Sequence, residues 1–269
     1  MKTILANNIS INYRIDLQRD KDPDAPVIML SNSLLSSYAM WDDQIESLTE
    51  YFNVLRYDTR GHGGTDAPSS DYSIDIFVED AVSLLNKLNI DKVHFIGLSM
   101  GGFIGQLFAA KYPERVVSLT LCDTACVMPP ASLWDDRIKT AENSGVESLI
   151  EGTLGRWFTA PFCQTNPKDV QRITEMIRNT GVLGYVNCAK AIRDMDQRHI
   201  LKDINVPTYI IVGEKDPACP VSASRVLNSG IPGSSLSVLK DAAHLPNIEK
   251  KREFNKALVS FLKNEALKS

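Results

Sequence analysis

The amino-acid sequence predicts an α/β fold with a mostly parallel central sheet, an N-terminal antiparallel hairpin, helices on both faces and an inserted helical cap. Three observations support this fold. Short strand-like segments alternate with segments of helical periodicity, which indicates parallel strands joined by crossover helices. Two β-type segments flank the dipeptide Asn7-Asn8. The stretch from about 130 to 197 shows helical periodicity and no convincing strand.

The strands are predicted in chain order. Segments 4–6 and 9–17 form the hairpin, because Asn tolerates the left-handed backbone that a tight turn between antiparallel strands demands. The parallel strands are then expected at 27–30, 53–57, 93–98, 116–121, 208–212 and 236–239.

The helices are predicted from apolar periodicity and from proline positions. In segment 73–88, apolar residues recur at three- and four-residue steps between charged ones, as in an amphipathic helix that covers one face of a sheet. A second helix runs from about 100 to 112 and stops at Pro113. Further helices are expected at 132–141, 168–178, 182–193 and about 247–267. The predicted domains are an α/β core, 1–129 with 198–269, and a helical cap, 130–197.

Composition excludes several classes of function. The 269 residues carry 29 Lys and Arg against 33 Asp and Glu, a formal net charge of -4, so nucleic acid is not expected as a partner. No stretch approaches the roughly 18 consecutive apolar residues of a membrane span. Five cysteines without a tight CxxC and four scattered histidines favour neither a disulfide framework nor a structural metal. With no recognisable signal peptide, we expect a cytoplasmic protein that is a monomer or a small homo-oligomer.

The strongest local signal is the pentapeptide Gly97-Leu98-Ser99-Met100-Gly101, which has the form G-x-S-x-G. It lies after a predicted strand and before a predicted helix, where a serine occupies a sharp turn with its hydroxyl above the sheet. Glycines are needed at both ends because side chains would collide with neighbouring backbone at so tight a bend. Ser99 is therefore the candidate nucleophile.

A serine hydroxyl needs a base, and the base needs an orienting acid. His244 is the preferred base because it follows a predicted strand and precedes the last helix, whereas His199 lies in a polar segment and is expected at the surface. Asp216 is the preferred acid, since it lies in the loop after strand 208–212 at the carboxyl edge of the sheet. Glu214 in the same loop is its competitor and is expected to be solvated.

Two backbone N–H groups should stabilise the oxyanion that forms during acyl transfer. One belongs to Met100, the residue after the nucleophile, and the other to Leu34, in the loop Ser31-Asn32-Ser33-Leu34 after an early strand. His62 in a glycine-rich turn and His94 in a strand are expected to be structural.

With these residues in place, the chain resembles the α/β-hydrolases and, within that superfamily, the 3-oxoadipate enol-lactonases of bacterial aromatic catabolism. The superfamily part of the resemblance comprises Tyr57-Asp58-Thr59-Arg60-Gly61-His62-Gly63, the Ser99 turn, Asp216-Pro217 and His244. The narrower part comprises Ser31-Asn32-Ser33-Leu34, Met40-Trp41, Leu98-Ser99-Met100-Gly101-Gly102, Trp134 to Arg137, Arg156-Trp157-Phe158-Thr159, Arg193-Asp194-Met195-Asp196 and His244-Leu245-Pro246-Asn247-Ile248-Glu249. Two positions depart from it: Leu35, where Gly is expected, and Pro246, where Ser is usual.

The resemblance implies a carboxylic ester hydrolase that opens a small enol-lactone bearing a free carboxylate, giving 3-oxoadipate in the beta-ketoadipate pathway. Ser99 would attack the ring carbonyl, His244 would take its proton and Asp216 would hold the imidazole. No metal and no organic cofactor is implied.

The carboxylate of such a substrate would need a local cation in an acidic protein. The predicted cap offers three candidates, Arg137, Arg156 and Arg193, each beside apolar or aromatic neighbours. Trp134 and Trp157 are candidates for the apolar walls of the pocket.

The sequence leaves other functions open. A broad carboxylesterase, a cofactor-free perhydrolase and a C–C bond hydrolase of the same fold would share the triad. Epoxide hydrolases and haloalkane dehalogenases are disfavoured, because they carry Asp where this chain has Ser99. Outside enzymes, the alternative is a ligand receptor with slow turnover, and the complete set of Ser99, Asp216 and His244 argues against it.

Overall fold

The structure, a computed structural model, describes residues 2–266. Its strands are β1 (Lys2–Ala6), β2 (Ile9–Asp16), β3 (Val27–Ser31), β4 (Asn53–Tyr57), β5 (Val93–Leu98), β6 (Val116–Cys122), β7 (Thr208–Gly213) and β8 (Ser235–Leu239). They form a sheet in the order β1-β2-β4-β3-β5-β6-β7-β8. β2 is antiparallel to both of its neighbours, and the other pairs are parallel. The predicted fold class is confirmed.

The N-terminal hairpin turns at Asn7 and Asn8. Both residues have left-handed backbones, with φ of 47° and 62°, and Ala6 pairs with Ile9 across the turn. A two-residue turn of this kind matches the right-handed twist of the strands it joins. β2 ends at Asp16, one residue before the predicted boundary.

The helices are α1 (Asp42–Leu48), α2 (Ile74–Lys87), α3 (Met100–Lys111), α4 (Ala131–Ser144), α5 (Ile150–Trp157), α6 (Ala160–Thr165), α7 (Pro167–Arg178), α8 (Val182–Asp194), α9 (Val221–Gly230), α10 (Pro246–Glu249) and α11 (Lys251–Ala266). The amphipathic helix predicted at 73–88 is α2. Ser73 caps it, because its hydroxyl accepts a hydrogen bond from the Ile76 N–H at 3.3 Å. None of the described helices is both long and apolar enough to span a membrane.

The sequence pattern did not delimit α1, α5, α6 and α9. The first three span 7, 8 and 6 residues, too few turns for an apolar period to stand out. α9 contains three serines and a glycine, which have low helix propensity. The predicted terminal helix is divided, because Lys250 leaves the helical region with φ −127° and ψ 46°. Its predicted end at Leu267 lies outside the described residues.

Helices α4 to α8, here called the cap helices, lie between β6 and β7 in the chain. Val127 and Asp196 form an isolated antiparallel bridge at the base of this segment. α8 packs closely against the loop that follows β4. A Cβ on Gly184 of α8 would lie 2.0 Å from the carbonyl oxygen of Gly61 in that loop. Only a residue without a side chain fits this contact, which holds the cap helices against the loop after β4.

Candidate active site

Ser99 lies in the turn between β5 and α3, with φ 54° and ψ −112°, a strained conformation for a residue with a side chain. Its N–H donates to the Cys122 carbonyl at 2.9 Å. A Cβ on Gly97 would lie 2.1 Å from the Gly101 carbonyl oxygen, and one on Gly101 would lie 2.2 Å from the Ser31 carbonyl oxygen. The two glycines of the motif are therefore required by backbone contacts that hold the serine in its turn.

Asp216 and His244 come from the loops that follow β7 and β8. Both are buried, and His244 Nδ1 lies 2.8 Å from Asp216 Oδ2. Asp216 Oδ1 accepts the N–H groups of Ala218 at 2.8 Å and Cys219 at 3.1 Å. Burial raises the pKa of Asp216, but His244 and these donors outweigh burial and bring the pKa below its usual range.

The Asp216 contact defines which nitrogen of His244 is available. A charged carboxylate only accepts hydrogen bonds, so Nδ1 of the neutral ring carries the proton and Nε2 is left to accept one. The competing candidates lie elsewhere: Glu214 is exposed and accepts the Asp241 N–H at 3.1 Å, and His199 is exposed as well.

A cavity of about 160 Å³ lies between the carboxyl edge of the sheet and the cap helices. Ser99 and His244 both line it, together with residues of the loops after β3, β6 and β7. The cap helices contribute Trp134, Arg137 and Arg156. The structure thus brings the candidate nucleophile, the candidate base and two of the three candidate cations to one cavity.

The two predicted oxyanion donors are free. In the described residues, neither the Leu34 N–H nor the Met100 N–H has a hydrogen-bond partner. The neighbouring groups are bound: Ser33 N–H to Met40 Sδ at 3.3 Å, and Gly101 N–H to the Asn32 carbonyl at 2.9 Å. Met100 also begins α3, whose N-terminal dipole favours a developing negative charge.

His62 fixes the loop that carries Leu34. Its Nε2 accepts the N–H of Leu35 at 2.9 Å, and burial lowers the pKa of His62 to about 4, so the ring is a neutral acceptor at neutral pH. Leu35 has a left-handed backbone with φ 64°. This conformation is the reason that glycine is expected at position 35, because glycine adopts it without steric cost, whereas leucine does not.

The three candidate cations have different environments. Arg137 donates to the Tyr185 hydroxyl at 3.1 Å and stacks over Trp134 at 5.2 Å. Arg156 makes no ion pair or hydrogen bond with any described residue, and burial together with the charge of Arg137 lowers its pKa. Arg193 does not line the cavity and pairs with two carboxylates, Asp135 at 2.8 Å and Asp194 at 2.7 Å.

Both candidate tryptophans are buried at the cavity wall. Trp134 Nε1 donates to the Met128 carbonyl at 3.0 Å, which holds the ring in place. Trp157 stacks on the imidazole of His244, with ring centroids 6.3 Å apart and an interplanar angle of 29°. Trp157 therefore contacts a candidate catalytic group directly, a relationship that the sequence did not indicate.

Two acidic residues near the site were missed. Glu249 links two loops, because its Oε2 accepts the Ala243 N–H at 2.8 Å and its Oε1 accepts the Thr159 N–H at 3.2 Å. Asp123 follows β6 directly, is fully buried, and accepts the Gly213 N–H at 2.8 Å. Asp216 was singled out because it lies in a loop after a predicted strand, at the carboxyl edge of the sheet, and Asp123 after the predicted strand 116–121 meets the same criterion.

Asp216, Cys219 and His244 place donor atoms within 4.8 Å of one another, close enough in principle for a metal ion. The ligand atoms are already engaged, since the carboxylate and imidazole bind each other. Burial and the nearby carboxylates raise the pKa of the Cys219 thiol well above its usual range, which disfavours the thiolate that a metal requires. The cluster is better suited to proton transfer.

A serine in a tight strand-to-helix turn, with an Asp–His pair at the same sheet edge, defines a hydrolase arrangement. Residues 26–251 match the family model of the α/β hydrolase fold, and the chain belongs to this family.

Within this family, the chain is similar over most of its length to two enol-lactonases and to a putative carbamate hydrolase. The chain is 33% identical to 3-oxoadipate enol-lactonase 2 of Acinetobacter baylyi, over 97% of this chain and 96% of that protein. Its structure is similar to the crystal structure of the enol-lactonase from Burkholderia xenovorans LB400, with a TM-score of 0.94 over 97% of this chain and 100% of that one. The two sequences are 36% identical. The chain is also 31% identical to the putative carbamate hydrolase RutD of Agrobacterium fabrum, over 90% of this chain and 94% of that protein. These similarities support a hydrolase function.

Proposed function

We propose that the protein hydrolyses 3-oxoadipate enol-lactone to 3-oxoadipate, with Ser99, His244 and Asp216 as its catalytic triad. The observation that carries this proposal is the pair Arg137 and Arg156, two cations without a carboxylate partner among the described residues, in the cavity that holds Ser99. Unpaired charges are costly away from water, and an anionic substrate would compensate them. Similarity to two enol-lactonases supports the same substrate class.

Acylation uses the groups at the sheet edge. Ser99 Oγ attacks the lactone carbonyl while His244 Nε2 takes its proton, and Asp216 stabilises the imidazolium. The free N–H groups of Leu34 and Met100 bind the oxyanion, and removal of one such donor typically costs about 10²–10³ in kcat. His244 then gives the proton from Nε2 to the ring oxygen, which departs as an enol and tautomerises to the ketone, so the imidazole is neutral again for the next step. An enol is an easier leaving group than an alkoxide.

Deacylation reuses the same base. His244 activates a water molecule that attacks the acyl-enzyme, and Ser99 is released with its proton restored. The substrate carboxylate contacts Arg137 and Arg156 throughout, so binding energy from the charged end fixes the carbonyl over the serine. Residues 130–197 act as the cap that bears this subsite.

We place this reaction in the cytoplasm, within bacterial aromatic catabolism. The five cysteines are all unpaired, as in proteins of reducing compartments.

The test compares two substrates on one preparation. Purified protein and Ser99→Ala are assayed with enol-lactone generated from muconolactone and with p-nitrophenyl acetate. We expect a kcat/KM for the lactone higher by about 10³ or more, since charged-group contacts worth several kcal/mol are available only to the anion. Ser99→Ala should abolish both activities. Comparable kcat/KM values for both substrates, or turnover of a carbamate in place of the lactone, would reject the proposed substrate.

A further inference from the structure

Asp123 occupies the edge of the sheet beside the loop that carries Asp216. It directly follows β6, its N–H donates to the Ile211 carbonyl of β7 at 2.9 Å, and its Oδ1 accepts the Gly213 N–H at 2.8 Å. The side chain is 0% exposed, and the backbone is left-handed with φ 43°. Asp123 is thus held rigidly, and its carboxyl group lies within hydrogen-bonding reach of the Asp216 carboxyl group.

The second oxygen of Asp123 has no donor. Oδ2 is buried, and no N–H or O–H group of the described residues donates to it. The titratable groups that face Asp123 are the carboxylates of Asp216 and Glu249 and the thiols of Cys122 and Cys219. In the described part of the chain, no cation is ion-paired to it.

Two buried carboxyl groups in contact cannot both be charged without a large repulsion. Asp216 has His244 and two N–H donors to stabilise its charge, whereas Asp123 has one N–H. Burial and the negative charge of Asp216 accordingly raise the pKa of Asp123 well above its usual range. Of the two carboxyl groups, Asp123 is therefore the one whose surroundings favour the protonated form.

We propose that Asp123 is a neutral carboxylic acid that donates a hydrogen bond from Oδ2 to the Asp216 carboxylate, and so is a positioning residue for the Asp216–His244 pair. This role rests on the proposed triad. The bond satisfies the one unpartnered oxygen of Asp123 and fixes the plane of the Asp216 carboxylate. It also withdraws negative charge from Asp216, so that this carboxylate attracts the Nδ1 proton of His244 less strongly than an unassisted carboxylate would.

The test uses a matched pair of variants and p-nitrophenyl acetate, so that it depends on the triad and not on the lactone specificity. Asp123→Asn keeps an acceptor for Gly213 and an N–H donor for Asp216. Asp123→Ala removes both. We expect Asp123→Asn to retain kcat within about threefold and to leave the acid limb of the pH–rate profile in place. Asp123→Ala should lose about ten- to a hundredfold in kcat, with the acid limb shifted to higher pH.

Two outcomes would overturn the proposal. A charged Asp123 in the native protein would add a second negative charge beside the Asp216–His244 pair, so Asp123→Asn would then move the acid limb of the pH–rate profile to lower pH by about one unit. Equal kcat and an equal pH profile in Asp123→Ala and the native protein would show that the hydrogen bond has no role.

An infrared measurement decides the protonation state without any activity. The native protein at pH 7 should show the carbonyl stretch of a protonated, buried carboxylic acid, and Asp123→Asn should lack it, so that the native-minus-variant difference spectrum contains this band. Absence of the band rejects the neutral acid even if Asp123→Ala fails to fold. If the band is present but neither ester nor lactone is turned over, the proposed function fails while the protonation of Asp123 stands.

Discussion

Trp157 of α5 stacks on the imidazole of His244, and its carbonyl oxygen accepts the Leu245 N–H at 3.1 Å. The end of one cap helix therefore contacts both the ring and the backbone of the loop that carries the candidate base. Glu249 reinforces this connection, since its carboxylate accepts the N–H groups of Thr159 and Ala243. These contacts link the cap helices to the loop that carries His244.

We expect Trp157→Ala to lower kcat about tenfold or more with both the lactone and p-nitrophenyl acetate, because a base displaced by even 1 Å loses much of its efficiency. Trp157→Phe, which keeps an aromatic ring against His244, should recover most of this loss. Steady-state kinetics on both substrates give the comparison. If only KM for the lactone changes, Trp157 contacts the substrate as part of the cavity wall and does not position His244.

The two cavity arginines should show the opposite pattern. Arg156→Ala and Arg137→Ala are each expected to raise KM for the anionic lactone about ten- to a hundredfold, the value of a lost charge-assisted hydrogen bond, and to leave KM for p-nitrophenyl acetate unchanged. Arg178→Ala provides the control, because this arginine of α7 is exposed and pairs with Glu147 and Glu175. Equal increases in KM for both substrates would remove the mutated arginine from the carboxylate subsite.

Local pattern was sufficient to predict the elements that position Ser99. Alternating strands and helices, with a glycine-flanked serine at one junction, define the turn from neighbouring residues alone. Pattern was not sufficient for Asp123, Arg156 or Arg193. Whether Asp123 meets Asp216, and which arginine is neutralised by a nearby carboxylate, depends on side chains that are distant in sequence and adjacent only in the folded chain.

The backbone at Leu35 allows a test of strain. Leu35→Gly and Leu35→Ala both empty a fully buried position, which costs about 2–5 kcal/mol of unfolding free energy. At φ 64°, however, alanine carries a steric cost that glycine avoids, about 1 kcal/mol. Leu35→Gly should therefore be the more stable of the two in urea denaturation.

A buried leucine in a regular helix provides the control for Leu35. At Leu85 of α2, the glycine variant should be less stable than the alanine variant by about 1 kcal/mol, because glycine has the lower helix propensity. The order of the two variants should thus reverse between positions 35 and 85. The same order at both sites would mean that the left-handed conformation of Leu35 stores no strain.

Burial of His62 and His94 predicts a loss of stability in mild acid. Burial lowers the pKa of each to about 4, whereas a histidine in the unfolded chain titrates near 6.5. The unfolded state therefore binds more protons between these pH values. The stabilisation is complete above about pH 6.5 and is lost as the pH falls towards 4, at about 2 kcal/mol per histidine between pH 7 and 5.

Urea denaturation at pH 7, 6 and 5 measures this dependence. His62→Gln removes one titrating group while its amide oxygen can still accept the Leu35 N–H, so it should lose about half of the histidine-dependent change in unfolding free energy. His199→Gln is the matched control, because this histidine is exposed, and it should follow the native pH dependence. If His62→Gln follows the native curve as well, His62 is not held as a neutral acceptor. The loop that carries Leu34 would then depend on other contacts to keep the Leu34 N–H in place.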